Sequence, residues 1–289
     1  MTEAAVLSLG SCGAHALRLL RAESPLRVAA VFERSFYLES AGAFACLGGP
    51  RIELGPLNAV LEVPEGMNWR ASGLRADMRC VRSAGALHLG PRFVLSLSEA
   101  RPWRPEAPPV RPDPAAVARA LRAVHTESPL HDLDAGRAAM AGAGRWLSAV
   151  FARAPKSAGE DLAWVSGLIG LGPGLTPSGD DFIGGVLIAL HALNHPEPAQ
   201  RLAGAALPAA ASASNAISAA HLAAAGEGQG SAALHRLLND VLRGDGRALE
   251  ARLAAVGRIG HTSGWDTLAG SLAVLRAWLA GAGARRKAA

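Results

Sequence analysis

Over residues 1–110 the apolar positions come in short runs, such as VAAVF (28–32), AVLEV (59–63) and FVLSL (93–97), punctuated by Gly and Pro. Runs of this length and type predict strands, and residues 14–21 predict one early helix. The stretch RPWRPEAPPVRPDP (101–114) holds six prolines and can continue neither a helix nor a central strand. Beyond it the pattern turns helical. Asp113 followed by Pro114 is a helix-start signal. Helices are predicted near 115–126, 136–152, 160–169, 179–194, 198–206, 212–225, 231–242, 246–256 and 264–280. Leu268, Leu272, Leu275 and Leu279 give the last a core stripe at helical spacing. The expected fold class is α+β: a mostly β N-terminal domain, 1–110, followed by an all-α domain, 111–289.

Composition supports a packed chain. Half of its 289 residues are hydrophobic, which argues against extensive disorder. The longest clean apolar run, 182–193, is too short to span a bilayer and reads as a buried helix. An early Glu3 and no basic leader argue against a signal peptide, so a cytoplasmic protein with no membrane partner is expected. Three cysteines without CxxC spacing indicate neither a disulfide framework nor a cysteine zinc site. The net charge of +5 resembles a nucleic-acid signature. Its distribution does not: the arginines are scattered, Lys156 and Lys287 are the only lysines, and there is one Tyr. No nucleic-acid partner is expected. Scattered arginine still suits small anionic substrates.

One motif occurs twice. LGPGLTPSGDDFIGG (171–185) and GHTSGWDTLAG (260–270) both read G-x-T-(P)-S-G-x-D-x-x-x-G once Pro177 is treated as an insertion, and an apolar helical pattern follows each. Ser178 with Asp181, and Ser263 with Asp266, fit capping boxes with Asp in the Glu position. Capping alone does not call for Thr176, Thr262 or Asp180. Gly172 and Gly174 let the backbone approach a ligand, at an entropic cost that a plain connector avoids. Two helix starts, with the amides of Gly179 and Gly264 and the hydroxyls of Thr176, Ser178, Thr262 and Ser263, would make two half-sites for a phosphate or carboxylate. Asp180, Asp181 and Asp266 would alternatively gather a hard divalent cation such as Mg²⁺.

Other candidates stand apart from the motif. Ser214, Ser218 and His221 are expected on one helical face, with Asn215 beside them. These groups either satisfy one another or line a pocket. His261, inside the second motif, is a candidate general acid or base. His191 reads as a core histidine. Cys12, in GSCG (10–13), reads as a small core residue at a turn, with a nucleophile as the alternative. GxxxxGK[ST], HExxH and GxSxG are absent, as is a GxGxxG placed between strand and helix.

Taken together, LGPGLTPSGDDFIGG, SNAISAAHLAAAGEG (214–228) and GHTSGWDTLAG resemble a bacterial family first described as a domain of unknown function. One branch of it is similar to a subunit of the oxamate carbamoyltransferase of allantoin degradation. The resemblance covers about residues 160–280. It implies a reaction between carbamoyl phosphate and oxamate, giving oxalurate and phosphate, or the reverse, and other protein subunits as partners. The serine-threonine-arginine phosphate motif of ordinary carbamoyltransferases is missing. On this resemblance Thr176, Ser178, Thr262 and Ser263 position the anion, and amides from Gly174 to Gly179 stabilise the developing oxyanion. Asp180, Asp181 or Asp266 orients the oxamate amine or holds Mg²⁺, and His261 moves a proton. Two further readings stay open: a non-catalytic partner subunit, and a kinase-like enzyme without a P-loop.

Overall fold

The computed structural model describes residues 4–83, 85–132, 134–152 and 161–288, without the side chains of 131–132 and 285–288. Lys156, the side chains of Arg285, Arg286 and Lys287, and the first residue of the predicted 160–169 helix lie outside the described residues. The chain divides into two compact units, Met1–Pro105 and Glu106–Ala289. The first is β with one helix and the second is helical, an α+β chain of the expected class.

The first unit runs β1 (Ala5–Gly13), α1 (Ala14–Arg21), β2 (Leu26–Val31), β3 (Ser35–Ser40), β4 (Ala43–Gly48), β5 (Asn58–Leu61), β6 (Arg79–Ser83), β7 (Ala86–Leu89), β8 (Phe93–Ser96) and β9 (Arg101–Trp103). Its sheet order is β5-β4-β3-β2-β6-β7-β8-β1-β9, and β5 also pairs with β1. That last pairing closes a ring of eight strands, so none of the eight presents an open edge. Alternation sets the inner face: Leu7, Leu9, Val28, Phe36, Leu38, Leu87 and Leu95 are buried in one core with Trp69. β1 turns directly into α1 at Gly13, where a Cβ would stand 2.0 Å from the Gly55 carbonyl oxygen. Cys12, just before that turn, is fully buried, and burial pushes its thiol up to about 12. A core residue, not an activated thiolate, occupies that turn.

The second unit runs α2 (Pro114–Leu121), α3 (Asp134–Ala152), α4 (Ser178–Ala192), α5 (Pro196–Ala213), α6 (Ala216–Gly226), α7 (Ala232–Arg243), α8 (Leu249–Gly257) and α9 (Ser263–Ala288). Asp113 caps α2 by accepting from Ala115 N and Ala116 N, with Pro114 in the first turn. The predicted 160–169 helix is instead a single 3₁₀ turn, Ala163–Val165, because glycines follow it closely at Gly167, Gly170 and Gly172. The predicted 198–206 helix runs longer, to Ala213, past an internal Pro208. Ser214 is the cap of α5 and not a member of α6, so it does not share a helical face with Ser218 and His221.

α4 is the central helix. Nearly all of its residues are buried, and its Ile183, Val186, Leu187 and Leu190 share one core with Leu268, Leu272 and Leu275 of α9. Ser263–Ala284 has mean hydropathy 1.2, enough by length and composition to cross a bilayer. Here it is a packed helix whose Asp266 and Ser271 are fully buried.

The α4–α9 contact is unusually close. A Cβ on Gly185 would stand 1.9 Å from the Thr267 carbonyl oxygen, and a Cβ on Gly270 would stand 1.9 Å from that of Phe182. Gly185 lies four residues beyond Asp181, as Gly270 does beyond Asp266. The two contacts are therefore reciprocal, as a local two-fold would make them. Ser271 Oγ adds a bond to Gly185 O at 3.0 Å. The final glycine of each motif is what lets the two helices touch backbone to backbone.

Candidate functional site

That crossing brings the two motifs together. Thr176 Oγ1, from the first, lies 2.8 Å from Ser263 Oγ, from the second. Asp181 and Asp266 point into the same contact. Loss of water around the Asp181 carboxyl drives it well above the usual carboxylate range. The Ser263 hydroxyl pulls it back down, the Asp266 charge raises it, the Thr176 hydroxyl lowers it and the Asp180 charge raises it again. Asp181 Oδ2 is buried with no hydrogen-bond partner among the described residues. Asp266 Oδ1 accepts the Ser128 hydroxyl at 2.5 Å.

The helix starts differ from the expected capping boxes. Pro177, not Ser178, is the N-cap of α4, and no side chain caps the helix. Ser178 is the first helical residue, buried beneath Gly172, whose φ of +112° brings its backbone against the serine. A Cβ on Gly172 would lie 2.8 Å from Ser178 N. Gly260, with φ +59°, stands in the same relation to Ser263. Asp181 N bonds to Pro177 O at 3.1 Å, and Asp266 N bonds to Thr262 O at 2.9 Å. Pro177 therefore takes the place of Thr262 in the fold. Thr176 is displaced forward and reaches across to the other motif. Two first-turn amides are already taken: Gly179 N donates to Leu171 O at 2.9 Å, and Gly264 N donates to Ile259 O at 3.2 Å. Both glycines are also sterically required, with a Cβ meeting Leu168 O at 1.9 Å and Val256 O at 2.0 Å.

Asp180 belongs to a second cluster. Its Oδ1 accepts Gly170 N at 2.8 Å, and its Oδ2 accepts Ser218 Oγ at 2.6 Å and also Ser214 Oγ. Asn215 caps α6 through Ile217 N and Ser218 N, and its Nδ2 donates to Leu175 O at 2.9 Å. These bonds fasten the glycine loop to the α5–α6 corner. Gly174, φ +98°, is exposed at the crown of that loop with nothing near its Cα. His261 is exposed in the turn ahead of α9, outside the carboxyl cluster. His191 bonds Gly226 O at 2.8 Å, as a structural histidine would.

The segment 125–128 is a contributor that the sequence did not reveal. Thr126 Oγ1 donates to Trp265 O at 2.8 Å, His125 stacks on Trp265, and Ser128 reaches Asp266. No repeat or spacing marks these residues. Their role rests on contacts across more than a hundred positions of chain. Among the described residues no group of three or more His, Cys, Asp or Glu is placed to hold a metal ion. A cleft of about 260 Å³ in the β unit, lined by Glu33, Arg34, Arg51, Glu65, Met67 and Asn68, involves none of the motif residues.

The family model described as oxamate carbamoyltransferase subunit AllH matches residues 168–275. This is the resemblance carried by the motif residues, and the matched span runs from ahead of α4 to the middle of α9. Ser128 and the whole β unit lie outside it. No curated protein and no solved structure matches the chain. Residues 168–275 are thus similar to that subunit family.

Proposed function

We propose that this chain is a subunit of a carbamoyltransferase-type enzyme acting on the small anions carbamoyl phosphate and oxamate, or oxalurate in reverse, at the paired starts of α4 and α9. The observation that carries the reading is the meeting of the two motifs: Thr176 and Ser263 in hydrogen-bonding contact, with Asp181 coupled to Asp266 beside them. Paired carboxyls can divide the roles of acid and base when their surroundings separate their proton affinities, and burial raises that of Asp181. In the forward reaction the oxamate nitrogen attacks the carbamoyl carbon. The new N–C bond forms, the C–O bond to phosphate breaks with its electron pair leaving on phosphate, and the nitrogen sheds one proton. Asp181, held protonated, gives a proton to the departing phosphate, and the ionised Asp266 takes one from nitrogen. Thr176 and Ser263 supply hydroxyl donors to the carbamoyl oxygen. With Gly179 N and Gly264 N engaged by the chain itself, these side chains are the principal contacts to substrate.

The test is phosphate release from carbamoyl phosphate by the full chain with its partner subunits, with and without oxamate. Release is expected only with oxamate. Asp181→Asn and Asp266→Asn are each expected to lower kcat by about 10²-fold or more, the usual contribution of a positioned acid or base. Full activity in both variants would sink the assignment and leave a non-catalytic subunit.

A further inference from the structure

We propose that Ser128 is a positioning residue for the paired carboxyls: by donating to Asp266 Oδ1 it holds Asp266 as the ionised member, and so leaves Asp181 as the acid of the site. The inference rests on reading this cluster as the reaction centre. It adds a residue from outside both motifs and outside the matched span.

A hydroxyl has one proton to give. Ser128 Oγ accepts Leu130 N at 3.4 Å, so its proton is free to point at Asp266 Oδ1, 2.5 Å away. Both groups are buried, Ser128 at 5% exposure and Asp266 at 0%. A short bond from a hydroxyl to a buried carboxyl favours the charged form of the acceptor. The hold on Asp266 is reinforced next door, where Thr126 Oγ1 and the His125 ring fix Trp265, the preceding residue. Around Asp181 burial strengthens the carboxyl's hold on its proton, and the Ser263 and Thr176 hydroxyls offset this only in part. The charged groups acting on it are Asp266 from α9 and Asp180 on its own helix, both negative. The Thr176 and Ser263 hydroxyls spend one of their two protons on each other. The two motifs are alike in sequence, and Ser128 donates to the carboxyl of the second.

Two measurements on the full chain test this. Difference infrared spectra between the native chain and Asp181→Asn at neutral pH read the carbonyl stretch of a protonated Asp181. That band is expected in the native background, lost or sharply weakened when the same subtraction is made with Ser128→Ala in both members, and restored with Ser128→Thr. In turnover, Ser128→Ala is expected to shift the pH profile of phosphate release by about one unit and to lower kcat about tenfold with KM for carbamoyl phosphate unchanged, since one pKa unit is a tenfold change in protonation. If Ser128→Ala does not fold, Ser128→Cys, nearly isosteric and a weak donor, gives the same reading. An Asp181 band equally strong with and without the Ser128 hydroxyl would overturn the proposal, even if the variant melted at a lower temperature. Absence of turnover in the native enzyme would overturn the proposed function instead, and the infrared result would still decide the role of Ser128.

Discussion

Asp180 accepts hydrogen bonds from Gly170 N, Ser214 Oγ and Ser218 Oγ, and each joins a different piece of chain to the first turn of α4. Its neighbour Asp181 turns the other way, toward α9. Replacing Asp180, itself buried, by Ala strands three donors, of which Ser218 is buried and the other two half-buried, and breaking such a network costs about 3 kcal/mol. Urea unfolding of Asp180→Ala is expected to show that loss, with Asp180→Asn nearly as severe because its amide would set donors against donors. A destabilisation below about 0.5 kcal/mol, the scale of an ordinary surface change, would refute this account. Both aspartates were visible in the sequence as an adjacent pair. Their division of labour was not, because it depends on which helix lies on each side. Ser128 was hidden for the same reason, since its partner is 138 residues away.

At the scale of elements, the repeated motif was legible because its signal is local: serine, glycine and aspartate at fixed spacing ahead of an apolar run. The capping box read from that spacing fails because Gly172 and Gly260 bring backbone against the serines, so Pro177 and Thr262 become the residues before the helix. The role of the last motif glycine became clear only with the two helices in contact. Gly185→Ala and Gly270→Ala each place a methyl 1.9 Å from a backbone oxygen, so each is expected to destabilise by about 3 kcal/mol or to prevent folding. Gly204, inside α5, would meet nothing within 4 Å. There Ala is expected to stabilise by about 0.5–1 kcal/mol, through helix propensity. Thermal melts of the three variants check both signs.

At the scale of the whole molecule, each unit has its own buried core, one centred on the strand ring and one on α4. The helical unit was readable from periodicity almost element by element. Ring closure was not, because the β5–β1 pairing joins residues some fifty positions apart and leaves no local trace. The helical unit also carries a pH signature. Burial pushes His221 and His235 down to about 4. An unfolded chain takes up protons on these histidines below 6.5, where the folded chain does not. Their contribution to stability is therefore complete above 6.5 and is lost as pH falls toward 4. Asp181 acts in the opposite sense. Folded, it keeps a proton that the unfolded chain gives up above 3.8, so its contribution declines as pH rises. Chemical denaturation across this range is expected to show His221→Gln with His235→Gln flattening the acid-side loss. Asp181→Asn is expected to gain stability over the native chain progressively with pH. A constant offset between Asp181→Asn and the native chain would contradict the raised affinity of Asp181 for its proton.

The glycine crossing has a mechanical corollary. Asp181 and Asp266 each sit one helical turn, about 6 Å, from the point where their helices touch. With backbone seated on backbone, there is no compressible side chain between the two rods to absorb a shift. The crossing works as a caliper pivot: its gauge is cut by two absent methyl groups, and the jaws are the carboxyls. A substrate or partner chain that needs a wider gap must therefore move the glycine loop at 170–174 or the segment at 125–128. Sequence drift at the glycines of the pivot would be read out directly as a change in the span between the two carboxyls.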